Sequence, residues 1–214
     1  MLDLSHNKIQ KEGAEAMAEA LTVSNSSLHT LNMLHMVWDY FGLDGPVPAG
    51  PGLIISAYKQ SSTLKSICGL SSDVTELDFA SQRRDHFSSA DAMLLTAELQ
   101  KGMTLESLRT LDINCNGITG EVAKQLAQAV SAHKSLEVFC GIPLTELRNG
   151  TLTELNLRVG DLRSACLGDV GAMVLGNLRL SQRLRTCRCQ GSSSPCRRCS
   201  ALSKLVILNL AGDL

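Results

Sequence analysis

The stretch 108–136, LRTLDINCNGITGEVAKQLAQAVSAHKSL, constrains the fold more than any other part of the chain. Leu108, Leu111 and Ile113 give the spacing L-x-x-L-x-L, Asn116 follows three residues later, and Ile118 two after that. Hydrophobic alternation then gives way to a 3.6-residue period, which predicts a strand, an asparagine turn and a small-residue helix over 120–133. Residues 2–28 repeat the unit at one constant offset. Leu2, Leu4, Asn7 and Ile9 fall on Leu111, Ile113, Asn116 and Ile118; Ala14, Met17, Ala18 and Leu21 fall on Ala123, Leu126, Ala127 and Val130. Eight matched positions without a gap identify an internal repeat.

The other units are less regular. A strand at Leu28-x-x-Leu31-x-Met33 is followed by the aromatic cluster Trp38, Tyr40 and Phe41 and by GLDGPVPAGPG (42–52), read as a Pro/Gly loop. A helix is predicted at 53–60. Strands at 64–69 and 75–79 leave too short a gap for a helix, and the same pairing returns at 136–141 and 153–157, so a cassette of strand, bare loop and strand is itself duplicated. Helices are expected after each cassette, over 89–99 with Ala90, Met93, Leu94 and Ala97 inward, and over 170–180 with Ala172, Leu175 and Gly176 inward. A last strand is expected at Leu205-x-x-Leu208-x-Leu210. Before it lies RLRTCRCQGSSSPCRRCS (183–200), a basic, Cys-rich insertion in a stretch with no acidic residue from 170 to 212. The whole of 1–214 reads as one domain, and its start inside a repeat suggests a fragment.

Composition narrows the classes. A net charge of -1 asks for neither nucleic acid nor a membrane, and 3% aromatic content leaves the core to Leu, Ala, Val, Ile and Met. No apolar run approaches the roughly 20 residues that span a bilayer. Eight cysteines follow no secretory signal, which points to a reducing, cytoplasmic setting; the sequons at Asn25 and Asn149 would matter only in a secreted chain. The histidines (His6, His29, His35, His86, His133) lack metal-ligand spacing and a paired nucleophile. There is neither a phosphate loop nor a dinucleotide fingerprint. The chain is therefore expected to be no enzyme and to carry no cofactor.

Strands approach to about 4.8 Å while helices need about 8 to 10 Å, so stacked strand-helix units must bend. Asn7 and Asn116 sit where the chain leaves the strand, and an amide there can satisfy turn groups otherwise buried unpaired. The pattern L-x-x-L-x-L-x-x-N-x-I followed by an Ala-rich helix resembles the leucine-rich repeats of the ribonuclease-inhibitor-like subclass, found in NOD-like receptors and Ran GTPase-activating proteins. That resemblance implies an α/β solenoid, a horseshoe with an inner parallel sheet and outer helices, that binds a macromolecule on its concave face.

Strand alternation selects the residues exposed on that face: Asp3, Asn32, Asp78, Asp112, Asn156 and Asn209, then Ser5, Ala80, Asn114 and Arg158. Such an Asp/Asn ladder suits a partner presenting Lys, Arg or amide groups, although simple solvation of a sheet surface accounts for it as well. Trp38, Tyr40 and Phe41 are either an aromatic anchor for the partner or a cluster packed beneath its own loop. Cys187, Cys189, Cys196 and Cys199 could hold zinc, since the last two have half-site spacing; C-x-C strains chelation, and an irregular insertion is the plainer reading. The arginines around them could meet RNA or acidic protein, but no aromatics interleave. The resulting expectation is a non-catalytic protein-interaction scaffold with a protein partner and no membrane, nucleic-acid or small-molecule ligand. The alternatives are a Ran-type GTPase regulator, as the resemblance permits, and a zinc or nucleic-acid module at 183–200.

Overall fold

The chain was described in a computed structural model covering residues 1–22, 27–38, 49–80, 87–158, 168–178 and 186–190, with the backbone alone for 154, 156–158 and 186–190. In order the elements are β1 (Leu2–Asp3), α1 (Lys11–Thr22), β2 (Leu31–Asn32), α2 (Ala49–Gln60), β3 (Glu76–Asp78), α3 (Ser89–Lys101), β4 (Thr110–Asp112), α4 (Gly120–Ala132), β5 (Val138–Phe139), β6 (Ile142–Pro143), α5 (Leu144–Arg148), β7 (Glu154–Arg158), α6 (Asp169–Asn177) and β8 (Thr186–Gln190). They fall into two units, Met1–Thr75 with Arg83–Leu108 and Glu76–Gln82 with Arg109–Leu214.

In the first unit β1 lies parallel to β2 with Leu2 opposite Leu31 and Asp3 opposite Asn32. The segment after α2 extends this pairing only by isolated bridges, Thr30 to Ser66 and Asn32 to Cys68. Helix α1 packs on α2 and α2 on α3. The predicted α1 face is half right: Ala14 and Leu21 are buried, whereas Met17 and Ala18 are half-buried.

Helix α2 corrects the predicted loop, because it takes in residues 49–52. Pro51 stands in the first turn, where its missing N–H would have had no intrahelical acceptor. Gly50 is required there: a Cβ would stand 2.5 Å from the Trp38 ring. Helix α3 is anchored at both ends. Ser88 caps it in a reciprocal capping box with Asp91. Asp91 and Glu98 are both fully buried. Each accepts from neighbouring backbone: Asp91 from His35 N at 2.7 Å, beyond β2, and Glu98 from Ile67 N at 3.1 Å and Cys68 N at 2.9 Å, in the bridged segment after α2, as well as from Thr104 Oγ1 at 2.9 Å.

In the second unit β3, β4 and β5 are parallel, with Leu77 opposite Leu111 and Leu111 opposite Phe139. Helix α4 occupies the predicted span, buries Ala123, Leu126, Ala127 and Val130 as its spacing requires, and packs on α6. The second cassette differs from the first. Its strand β5 turns back antiparallel into β6 through Cys140 and Gly141, whose φ values of 49° and 79° give the two-residue turn that matches strand twist. The short helix α5 then fills what the sequence suggested was a bare loop. Helix α6 buries Val170, Gly171, Val174 and Leu175, so its inward face is rotated from the predicted Ala172, Leu175 and Gly176; Ala172 is half-buried and Gly176 exposed. Five residues of the supposed irregular insertion form β8, parallel to β7 in continuous register. The β-branched Thr186 that opens it suits a pleated strand. The strand expected at 205–210 lies outside the described residues.

One helix ending occurs twice. Lys101 Nζ donates to the carbonyls of Tyr58, Ser61 and Leu64 at 2.7, 2.9 and 3.0 Å, in and just beyond the last turn of α2. Arg148 donates to the carbonyls of Val130, His133 and Leu136 at 3.3, 2.8 and 2.5 Å, in and just beyond the last turn of α4. In both, acceptors three residues apart include groups that a helix C-terminus leaves unsatisfied.

Candidate functional site

Four strand ends share one local construction. Asp3 Oδ1 accepts from Ser5 N at 2.9 Å, Asn32 Oδ1 from Leu34 N at 3.2 Å, Asp78 Oδ1 from Ala80 N at 2.9 Å and Asp112 Oδ1 from Asn114 N at 2.8 Å. Each is an Asx turn, in which a short side chain two residues back satisfies an amide as the chain leaves the sheet. The Asp/Asn ladder therefore has an architectural cause, whatever else it does. Ser5 Oγ adds a second bond to Asp3 at 2.7 Å, and these Ser5 contacts hold the exposed Asp3 carboxyl below its ordinary value.

The chain then turns through a left-handed residue: His6 (φ 58°), His35 (φ 57°) and Cys115 (φ 64°) stand at matching places in their repeats. The asparagine comes next. Asn116 Nδ2 donates to Ile113 O at 2.9 Å and Asn114 O at 3.3 Å, and also to Phe79 O at 2.7 Å, joining the β4 turn to the β3 exit. Asn7 makes the matching local bonds, to Leu4 O at 3.1 Å and Ser5 O at 3.2 Å, in an exposed setting. Repeat equivalence thus holds down to individual donors and acceptors.

Among the anticipated partner-binding residues, Asp3 and Asp78 are exposed and Ser5, Asn32 and Asp112 are half-buried. Asp78 and Asp112 are Cα partners on adjacent strands. Asn114 is a correction: it is buried, in the lining of a cavity that Val170 and Gly171 of α6 also line. Asn156 and Arg158 lie on β7, where only the backbone is described, and Asn209 falls outside the described residues. Trp38 is also a correction to the exposed anchor. It is 4% exposed and packs against Gly50, so the apolar ring is spent on the core. Tyr40 and Phe41 lie outside the described residues.

Cys187 and Cys189 occupy β8 at the register positions of Leu155 and Leu157, while Cys196 and Cys199 lie outside the described residues. Among the described residues, no three or more His, Cys, Asp or Glu side chains are grouped to hold a metal ion. Nor is any helix among them long and apolar enough to cross a membrane. Sequence reasoning missed the buried Asp91 and Glu98 and the presence of Cys115 and Cys140 in the lining of one small cavity. A signal existed for Asp91, since Ser88-x-x-Asp91 is a capping-box spacing, but none for Glu98.

Residues 2–18 and 104–127 match the family model described as Leucine Rich repeat. The two matches cover β1 with part of α1 and β4 with part of α4, the same two stretches that superpose at constant offset. No curated protein matches the chain. These matches support a leucine-rich repeat family, whose repeats commonly mediate protein–protein interaction.

Proposed function

We propose that the chain is a non-catalytic protein-interaction scaffold whose strand-end acidic groups in the second unit, Asp78 and Asp112, bind a partner presenting lysine or arginine. The observation that carries this reading is the in-register aspartate pair. Like charges on adjacent strands destabilise a sheet by a few tenths to about 1 kcal/mol, and among the described residues neither carboxylate has a salt-bridge partner. An approaching cation would relieve that repulsion. The Asx turn needs only an acceptor oxygen, and Asn32 shows that an amide supplies it; the second charge is thus more than the turn requires.

Each unit is read as a segment of an α/β solenoid of ribonuclease-inhibitor-like repeats, a reading supported by parallel strands, the asparagine turn and the matched helices. On this reading Asp3, Ser5 and Asn32 in the first unit, and Asn156 and Arg158 on β7, lie on the same kind of strand-derived surface. A reducing, cytoplasmic location agrees with the free thiols of Cys68, Cys115 and Cys140. No observation favours a GTPase regulator or a zinc or nucleic-acid module.

The test is affinity capture from the source cells with the wild-type chain and the Asp78→Lys, Asp112→Lys double variant in parallel. The expected result is loss of specifically captured protein with an unchanged circular-dichroism spectrum. An unchanged captured set at wild-type yield would place the binding surface elsewhere.

A further inference from the structure

Among the described residues four non-glycine positions have positive φ, and two of them are Cys115 and Cys140. A left-handed conformation costs an L-residue about 1 to 2 kcal/mol, and asparagine, aspartate or glycine ordinarily takes such places. Nothing in the repeat demands a thiol at 115, since His6 and His35 occupy the matching turns.

Both cysteines line one cavity of the second unit, together with Ile113, Asn114, Asn116 and Val170. Cys140 Sγ accepts from Ile113 N at 3.4 Å, which places that sulfur two residues along the chain from Cys115. Neither is in a disulfide. Their exposures are complementary: Cys115 is open to solvent, and Cys140 is 9% exposed. Burial, with Asp112 adding to it, pushes the Cys140 thiol well above its ordinary value, so Cys140 is a poor first nucleophile. Cys115 is the sulfur that an external reagent reaches.

We propose that Cys115 and Cys140 form a redox-active dithiol that a low-molecular-weight disulfide, such as glutathione disulfide, converts to an intramolecular disulfide. The Cys115 thiolate attacks one sulfur of the oxidant, whose S–S bond breaks and releases one glutathione thiolate. The Cys140 thiol, giving its proton to solvent, then attacks Cys115 Sγ and expels the second glutathione. The protein loses two hydrogens and the oxidant becomes two thiols. The product ties the β4 exit to the β5–β6 hairpin beside Asp112 and Asn114. This chemistry is independent of the partner-binding reading and can be tested without a partner.

Trypsin places the two cysteines in separate peptides, 110–124 and 135–148, each with one thiol. The full-length chain is incubated folded with glutathione disulfide, quenched by alkylation, digested and mapped. The expected result is a reducible cross-link between these peptides and loss of both alkylatable thiols. Cys140→Ser should halt the reaction at a glutathione adduct on Cys115, and Cys115→Ser should leave Cys140 alkylatable only after unfolding. Finding Cys115 in the wild-type chain only as the glutathione adduct, or still fully alkylatable, overturns the proposal. So does a Cys140 cross-link to any other cysteine.

Discussion

Asn7 and Asn116 provide an internal control for the energetics of the strand-exit turn. Asn116 is 4% exposed and directs its two amide hydrogens at three carbonyls, one of them at the exit of β3. Replacing it with alanine removes both donors and leaves buried acceptors unsatisfied, at about 1 to 3 kcal/mol each when water cannot reach them. Two such losses, reduced by partial rearrangement, give about 2 to 4 kcal/mol. Asn7 makes only the two local bonds, in an exposed turn where water can replace the amide. Asn7→Ala should therefore cost below about 1 kcal/mol. The assay is urea denaturation by circular dichroism for both variants, paired with amide hydrogen exchange on peptide 110–124 to localise the effect. Asn116→Ala should lower the midpoint and accelerate exchange in that peptide; Asn7→Ala should do neither strongly. Equal costs for the two variants, or an Asn116→Ala cost below about 1 kcal/mol, would refute the claim that burial of the turn sets the value of the asparagine.

Two neighbouring glycines of α2 should respond with opposite signs. A Cβ at Gly52 meets nothing within 4 Å, so Gly52→Ala should stabilise by about 0.5 to 1 kcal/mol through helix propensity. Gly50→Ala forces a Cβ to 2.5 and 2.8 Å from two Trp38 ring atoms and should destabilise by about 1 to 3 kcal/mol, with a shift in tryptophan fluorescence; thermal melts of both variants decide the matter. His133 is held below its ordinary value by burial and by the positive charges of Arg148 and Arg109. In the window from about pH 6.5 down to that lowered value, the unfolded chain binds the extra proton and the native state does not, so stability falls as pH falls. His133→Gln should flatten the urea midpoint across that window, and an unaltered slope would exclude His133 as its source.

The repeats were legible because strand, turn and helix each use a different period, and because eight positions of α1 and α4 with their strands agree without a gap. Most helix spans followed directly. The errors have physical sources. Residues 49–52 read as loop because Pro and Gly usually break helices, yet Pro51 falls in the first turn and Gly50 meets an aromatic ring that only tertiary structure brings there. The β5–β6 hairpin escaped notice because Cys140 holds a turn position more often given to asparagine or glycine. Face assignments failed where burial depends on what packs opposite, as with Met17 and Ala18 of α1 and the rotated face of α6. For the candidate site, alternation located the strand-end carboxylates and the asparagine turn. It misplaced Asn114, because the strand ends at Asp112 and the alternation does not extend through the Asx turn that follows. Trp38 could not be distinguished from a surface aromatic before Gly50 was seen beside it.

The paired helix endings show what a duplicated unit passes on. Tyr58, Ser61 and Leu64 present the same triad of oxygens as Val130, His133 and Leu136, yet the cation arrives from the last residue of a thirteen-residue helix in one unit and from that of a five-residue helix in the other. The socket is common to both copies and the plug is not. Lysine fills it as a point charge that also stands 4.0 Å from the Tyr58 ring centre, and arginine as a flat fork across three carbonyls. Such a requirement is written in backbone geometry, so two segments can share it although only the last aligned pair, Leu64 and Leu136, carries the same side chain.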